Sequence, residues 1–143
     1  MTVVYFDSSA LVKLLLDEPG SDLAIELWNG CDAALASRLA HPEVCAALAA
    51  TRRNKLLTAD EVANALAEWT RFWGSMRPVE LTSGVEQLAG DLARAHQLRG
   101  ADAVHLASAL TLDIEGLVVA VWDKRLHAGA IDAGLAVAPA SIA

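Results

Sequence analysis

Val3-Val4-Tyr5-Phe6 runs without a polar break into Asp7. A strand with one wet face alternates, whereas an unbroken run has to be covered on both faces, as a parallel strand is when helices pack on either side of its sheet. The run is therefore read as a buried parallel strand with Asp7 at its carboxyl end. Open α/β sheets place their ligands at that edge, because helix N-termini and βα loops converge there.

The rest of the chain alternates helical and strand-like patterns. Ser8 or Ser9 is expected to cap a helix to about Leu16, stopped by Asp17-Glu18-Pro19-Gly20, and a second helix starts at Ser21 or Asp22 and ends at Asn29-Gly30. Ala33 to Ser37 reads as a short strand. Pro42 suits a first helical position, which places Glu43 in the first turn of a helix to about Arg53. Thr58 and Glu61 fit a capping box, and behind them Val62, Leu66, Trp69, Trp73 and Met76 form an amphipathic stripe, read as packing first and partner surface second. A short strand over Val79 to Leu81 and a helix from Thr82 to about His96 follow. Gly100 breaks the chain before a helix that carries Asp102 and His105 to about Leu112. Leu117 to Trp122 is a second buried strand, ending in Asp123, with a helix from Lys124 to about Ala133 and a weak strand over Ala136 to Ala138 behind it. The fold expected is a three-layer αβα sandwich around a mostly parallel sheet, one domain over residues 1–143.

Composition narrows the function. Hydrophobic residues make up 55% of the chain, yet no charge-free stretch approaches the roughly 20 apolar residues of a membrane span. No basic region precedes the first apolar run, so a signal peptide is not expected and the cytoplasm is the default location. Cys31 and Cys45 lack metal-ligand spacing and are read as reduced, partly buried thiols. A net charge of −7 argues against nucleic-acid binding through a globally basic surface but leaves room for a local patch.

The acids make the sharper statement. Asp7 and Asp123 each follow a buried strand, and Glu43 and Asp102 each fall in the first turn of a helix; in a parallel sandwich these four points share one edge. Taken singly, Glu43 and Asp102 are ordinary helix caps or solvated charges. Taken together, four carboxylates this close repel and call for a cation. An all-oxygen set suits Mg²⁺ or Mn²⁺, and the chemistry implied is metal-assisted phosphodiester hydrolysis, in which the ion acidifies a water and neutralises developing charge. Without metal the same repulsion should destabilise the fold, so that neutralising one acid, as in Asp102→Asn, is expected to raise the melting temperature.

Asp7-Ser8-Ser9-Ala10-Leu11-Val12-Lys13, Glu43 in an alanine-rich helix, Gly100-Ala101-Asp102-Ala103-Val104-His105-Leu106-Ala107 and Val121-Trp122-Asp123-Lys124-Arg125 together resemble the PIN-domain family, most closely the VapC-type ribonuclease toxins of bacterial toxin–antitoxin pairs. The resemblance spans essentially the whole chain. It implies a Mg²⁺-dependent endoribonuclease, usually a homodimer, restrained by a small antitoxin. By matching position, Asp7, Glu43 and Asp102 would be the core metal-binding acids, Asp123 the fourth, and Ser9 the small polar residue that orients the acids or a metal-bound water. Val121 departs from the threonine or serine common two residues before the fourth acid, so a supporting hydroxyl is missing. His105, one turn after Asp102, is either a core or capping histidine or a group that touches substrate or water. Arg52, Arg53 and Lys55, with Lys13 on the first helix, are a solvated face or the RNA phosphate contacts. Ser9 stands where a haloacid-dehalogenase-like phosphatase needs a second aspartate, and no acidic pair precedes Asp7 as in a receiver domain. The remaining alternative is a PIN-fold module that binds RNA or protein after its activity has decayed.

Overall fold

The computed structural model describes residues 1–142. Strands β1 (Val3–Phe6), β2 (Ala33–Ser37), β3 (Arg77–Val79), β4 (Val118–Ala120) and β5 (Ala136–Ala138) form one sheet in the order β3-β2-β1-β4-β5. Every neighbouring pair is parallel. Helices α1 (Ser8–Leu15), α2 (Ser21–Gly30), α3 (Ala40–Arg53), α4 (Ala59–Ser75), α5 (Ser83–His96), α6 (Gly100–Thr111) and α7 (Lys124–Asp132) fill the two outer layers.

β1 is central and its side chains alternate between two cores. Val3 and Tyr5 pack with Leu106, Ala107, Val119 and Val121 on the side of α5, α6 and α7. Val4 and Phe6 pack with Leu11, Val44, Leu48 and Trp69 on the side of α1 to α4. Two buried faces are the physical reason for the unbroken apolar run. The connections leave β1 toward β2 on one flank and arrive at β4 on the other, so the strand order reverses between β1 and β4. A crevice opens at the carboxyl ends of strands at such a point.

Local chemistry moved several boundaries. Asp7 itself caps α1, its Oδ1 accepting from Ala10 N at 3.0 Å, in place of Ser8 or Ser9; a carboxylate is the stronger acceptor at the positive end of a helix. α3 begins at Ala40, so Pro42 lies two residues inside it, which costs no hydrogen bond because the first four helical N–H groups have no intrahelical acceptor. β3 covers Arg77–Val79 rather than Val79 to Leu81; Pro78 is tolerated because β3 is an edge strand. β4 stops at Ala120, but pairing continues through Val121 N to Ala138 O at 3.0 Å.

The α4 capping box is present, and the buried line of that helix runs through Ala65 and Trp69, with Leu66 38% exposed. His41 stacks on Trp69 and takes its indole N–H at 3.0 Å, so Trp69 is a packing residue. Cys31 and Cys45 are free thiols of intermediate burial. No helix among the described residues is long and apolar enough to cross a membrane.

Candidate active site

The crevice between β1 and β4 collects the four acids through a network of hydrogen bonds. Ser9 Oγ donates to Asp7 Oδ1 at 2.6 Å and accepts from Trp122 N at 3.0 Å. One hydroxyl thereby ties the end of β1 to the segment after β4. Asp123 caps α7, its Oδ1 accepting from Leu126 N at 3.0 Å. Asp7 and Asp123, read from sequence as the acids that each follow a buried strand, are thus both helix caps. Capping and ligand binding draw on one cause, since an anion is held by the exposed N–H groups and positive end of a helix.

Glu43 enters from the first turn of α3. Its Oε1 accepts from Ser8 Oγ at 2.6 Å and stands 2.6 Å from His105 Nε2. Asp102 enters from the first turn of α6, and Arg99, the residue immediately before that helix, joins it to Asp123. Arg99 Nε donates to Asp102 Oδ2 and Nη2 to Asp123 Oδ2, each at 3.2 Å. With Val121 sealed in the core, the cap and Arg99 supply the orientation of Asp123 that a hydroxyl at 121 would have given.

The electrostatics differ from acid to acid. Burial pushes the Asp7 carboxyl up to about 6 against the pull of His105 and of its hydrogen bonds from Ser9 and Ala10, and Asp123 pushes it further. Burial also raises Glu43, but hydrogen bonds from His105 and Ser8 outweigh it and hold that carboxyl below its ordinary value. Asp7 Oδ2, Glu43 Oε2 and Asp102 Oδ1 accept no hydrogen bond among the described residues. Each core acid therefore keeps one oxygen for something else.

The basic residues divide. Lys13 is drawn to Glu18 at 3.0 Å and lies over the Trp122 ring at 5.4 Å, its side chain 11% exposed. Gly20 makes that corner possible: a Cβ there would meet Trp122 Nε1 at 2.6 Å, and its φ of +96° is left-handed. Arg52, Arg53 and Lys55 lie at the far end of α3, Arg53 about 15 Å along the helix from Glu43 at 1.5 Å per residue. Sequence reasoning passed over Arg99, Ser8 and Tyr5. Arg99 had a readable signal, a guanidinium three residues ahead of an acid at a helix start.

Among the described residues no three histidine, cysteine or carboxylate side chains are already gathered as ligands of a single ion. The donor set nonetheless fits a hard divalent cation. Its free atoms are carboxylate oxygens, burial holds one carboxyl up near 6, and a guanidinium already stands between two of the acids as a cation.

Comparison with known proteins follows the same lines. The PIN domain family model matches residues 4–130. Ribonuclease VapC45 and ribonuclease VapC49, both of Mycobacterium tuberculosis, are each 66% identical to this chain over 142 residues, covering 99% of both partners. A toxin–antitoxin complex from Klebsiella pneumoniae superposes with a TM-score of 0.69 at 15% identity, covering 98% of this chain and 99% of that one. At that identity the likeness speaks for the fold alone.

Proposed function

This chain belongs to the PIN-domain family, and from that premise we propose that it is a metal-dependent endoribonuclease acting as the toxin of a toxin–antitoxin pair. The observation that carries the reading is the free oxygen kept by each of Asp7, Glu43 and Asp102, delivered to one sheet edge by β1, α3 and α6. Two relatives of the same length and 66% identity bear the name ribonuclease.

Asp7, Glu43 and Asp102 would hold Mg²⁺, or Mn²⁺ in its place, with Asp123 as the fourth acid. The ion supplies Lewis acidity toward the phosphate and an activated water. The protein's own groups do the rest. Ser9 and Ser8 aim Asp7 and Glu43, and Glu43 stays ionised at neutral pH because its hydrogen bonds hold it low. Arg99, with its side chain 67% exposed, pairs with both Asp102 and Asp123 and is within the site to meet a phosphate. The expected result is hydrolysis of single-stranded RNA in Mg²⁺ or Mn²⁺, none in chelator and little turnover in Ca²⁺. Full activity in excess chelator would overturn the metal mechanism. Mapping cut sites on cellular RNA after brief expression would identify the target.

The basic residues make a separate prediction. Each phosphate neutralised on a single strand contributes about −0.7 to the slope of log affinity against log salt. Arg99→Gln is expected to flatten that slope by about one phosphate. Changing Arg52, Arg53 and Lys55 together to Ala should flatten it further if RNA runs along α3, and an unchanged slope and affinity would make them a solvated face.

The chain is further proposed to work in the cytoplasm as a homodimer bound by a small antitoxin. A groove of ≈ 560 Å³ in which Leu15, Leu16, Leu56 and Leu57 are rimmed by acids such as Glu18 and Glu61 supports a docking partner, Leu56 being 72% exposed. A strictly monomeric protein that is harmless on expression would count against both parts.

A further inference from the structure

We propose that Tyr5 and His105 are positioning residues, a buried relay that turns Glu43 so that one carboxylate oxygen is held by the protein and the other is left for the site. The inference rests on the metal-site reading above and assigns roles to two residues outside the acid set.

Tyr5 is wholly buried in the middle of β1, and His105 is 2% exposed. Tyr5 Oη accepts from Ser37 N at 3.2 Å and stands 2.8 Å from His105 Nδ1. Glu43 Oε1 is a carboxylate oxygen that only accepts, so the 2.6 Å approach of Nε2 requires a proton on Nε2, pointing at Glu43. The phenol fixes the other ring nitrogen through the 2.8 Å hydrogen bond between Oη and Nδ1. Ser8 Oγ, 3.4 Å from Nε2, gives its own proton to the same oxygen at 2.6 Å. Oε1 then carries two donors and Oε2 none.

The relay crosses three elements that bear acids: Tyr5 precedes Asp7 on β1, His105 follows Asp102 by one turn of α6, and Glu43 stands on α3. A donor set by the neighbouring strand orients the carboxylate more firmly than solvent could, which is how outer partners tune metal ligands. A ring without a proton on Nε2 would place a lone pair against a carboxylate oxygen at 2.6 Å.

Full-length protein labelled with ¹⁵N-histidine tests this in the metal-free state, where His105→Gln assigns the signal. The expected spectrum shows a proton on Nε2. In Tyr5→Phe, which keeps the ring and its packing, the Nδ1 signal should move as the nitrogen loses its hydrogen-bond partner. Calorimetry with Mn²⁺ supplies the second reading. Losing an outer partner of a ligand typically weakens metal binding ten- to a hundredfold, so His105→Leu should fall in that range, His105→Gln should recover part of it through its amide donor, and Tyr5→Phe should weaken binding by about the lower figure. A ring bare at Nε2, or a Tyr5→Phe protein with unchanged Nδ1 signal and unchanged Mn²⁺ affinity, overturns the relay. A parent that binds no Mn²⁺ would defeat the metal-site reading, and the ¹⁵N spectrum would still show whether Nε2 carries the proton. Should Tyr5→Phe fail to fold, the parent spectrum and the His105→Gln titration carry the test.

Discussion

Asp7→Asn is expected to reduce RNA cleavage in Mg²⁺ by about a hundred- to a thousandfold, the scale on which enzymes lose rate when one fixed charge-stabilising group is removed, and to abolish toxicity on expression. Asparagine keeps the parts of Asp7 that hold the fold. Its Oδ1 can still accept from Ala10 N and Ser9 Oγ, and its amide nitrogen replaces Oδ2, which accepts no hydrogen bond. What it removes is the charge. The loss should therefore appear in kcat with RNA affinity little changed, because a group needed in the transition state lowers kcat and kcat/KM together. Changes at Arg52, Arg53 and Lys55 should do the reverse, raising KM and sparing kcat. An Asp7→Asn enzyme that retains most of its turnover would remove Asp7 from the site.

The strength of that expectation depends on how much of the site was written locally in the chain. Asp7 was legible because a doubly buried strand has only one pattern, and the first polar residue after it has to emerge at the ligand edge. Glu43 and Asp102 were legible because helix starts leave few choices, even though the start of α3 fell at Ala40 and not at Pro42. The connections between them were not. Ser9 to Trp122 spans 113 residues and His105 to Glu43 spans 62, and no local pattern encodes which helix start will face which strand end. Tyr5 is the plainest case: in sequence it is one more apolar strand residue, and its hydroxyl acquires a role only because α6 packs His105 against it. The basic residues were unequally legible for a related reason. Arg52, Arg53 and Lys55 are a visible cluster, whereas Arg99 is a single residue whose importance comes from the two acids it bridges.

That bridge changes which acid costs stability. Repulsion among four carboxylates made Asp102→Asn a candidate to stabilise the metal-free protein, but Asp102 already has the Arg99 guanidinium at 3.2 Å, so neutralising it gives up an ion pair and little gain is expected. Asp7 stands in no ion pair among the described residues, and burial lifts its carboxyl from 3.8 to about 6 against the pull of His105. The sign follows from proton counting. Between those values the unfolded chain has released the proton that the folded one still holds, so stability falls as pH rises through this window and stays at its lower level above it. The difference corresponds to about 3 kcal/mol at neutral pH, at 1.36 kcal/mol for each tenfold change in proton affinity. In chelator at pH 7, Asp7→Asn is therefore expected to melt roughly 10 °C above the parent, taking about 3 to 5 °C per kcal/mol for a domain of this size, and the gain should shrink toward zero near pH 4. Saturating Mg²⁺ should reverse the order, because ligand stabilisation grows with the ratio of metal concentration to dissociation constant and the variant has lost a ligand. Melting curves of both proteins at the two pH values, with chelator and with Mg²⁺, measure all four corners. A variant less stable than the parent in chelator at both pH values, with the parent's full response to Mg²⁺, would mean that Asp7 is a helix cap and no part of a metal site.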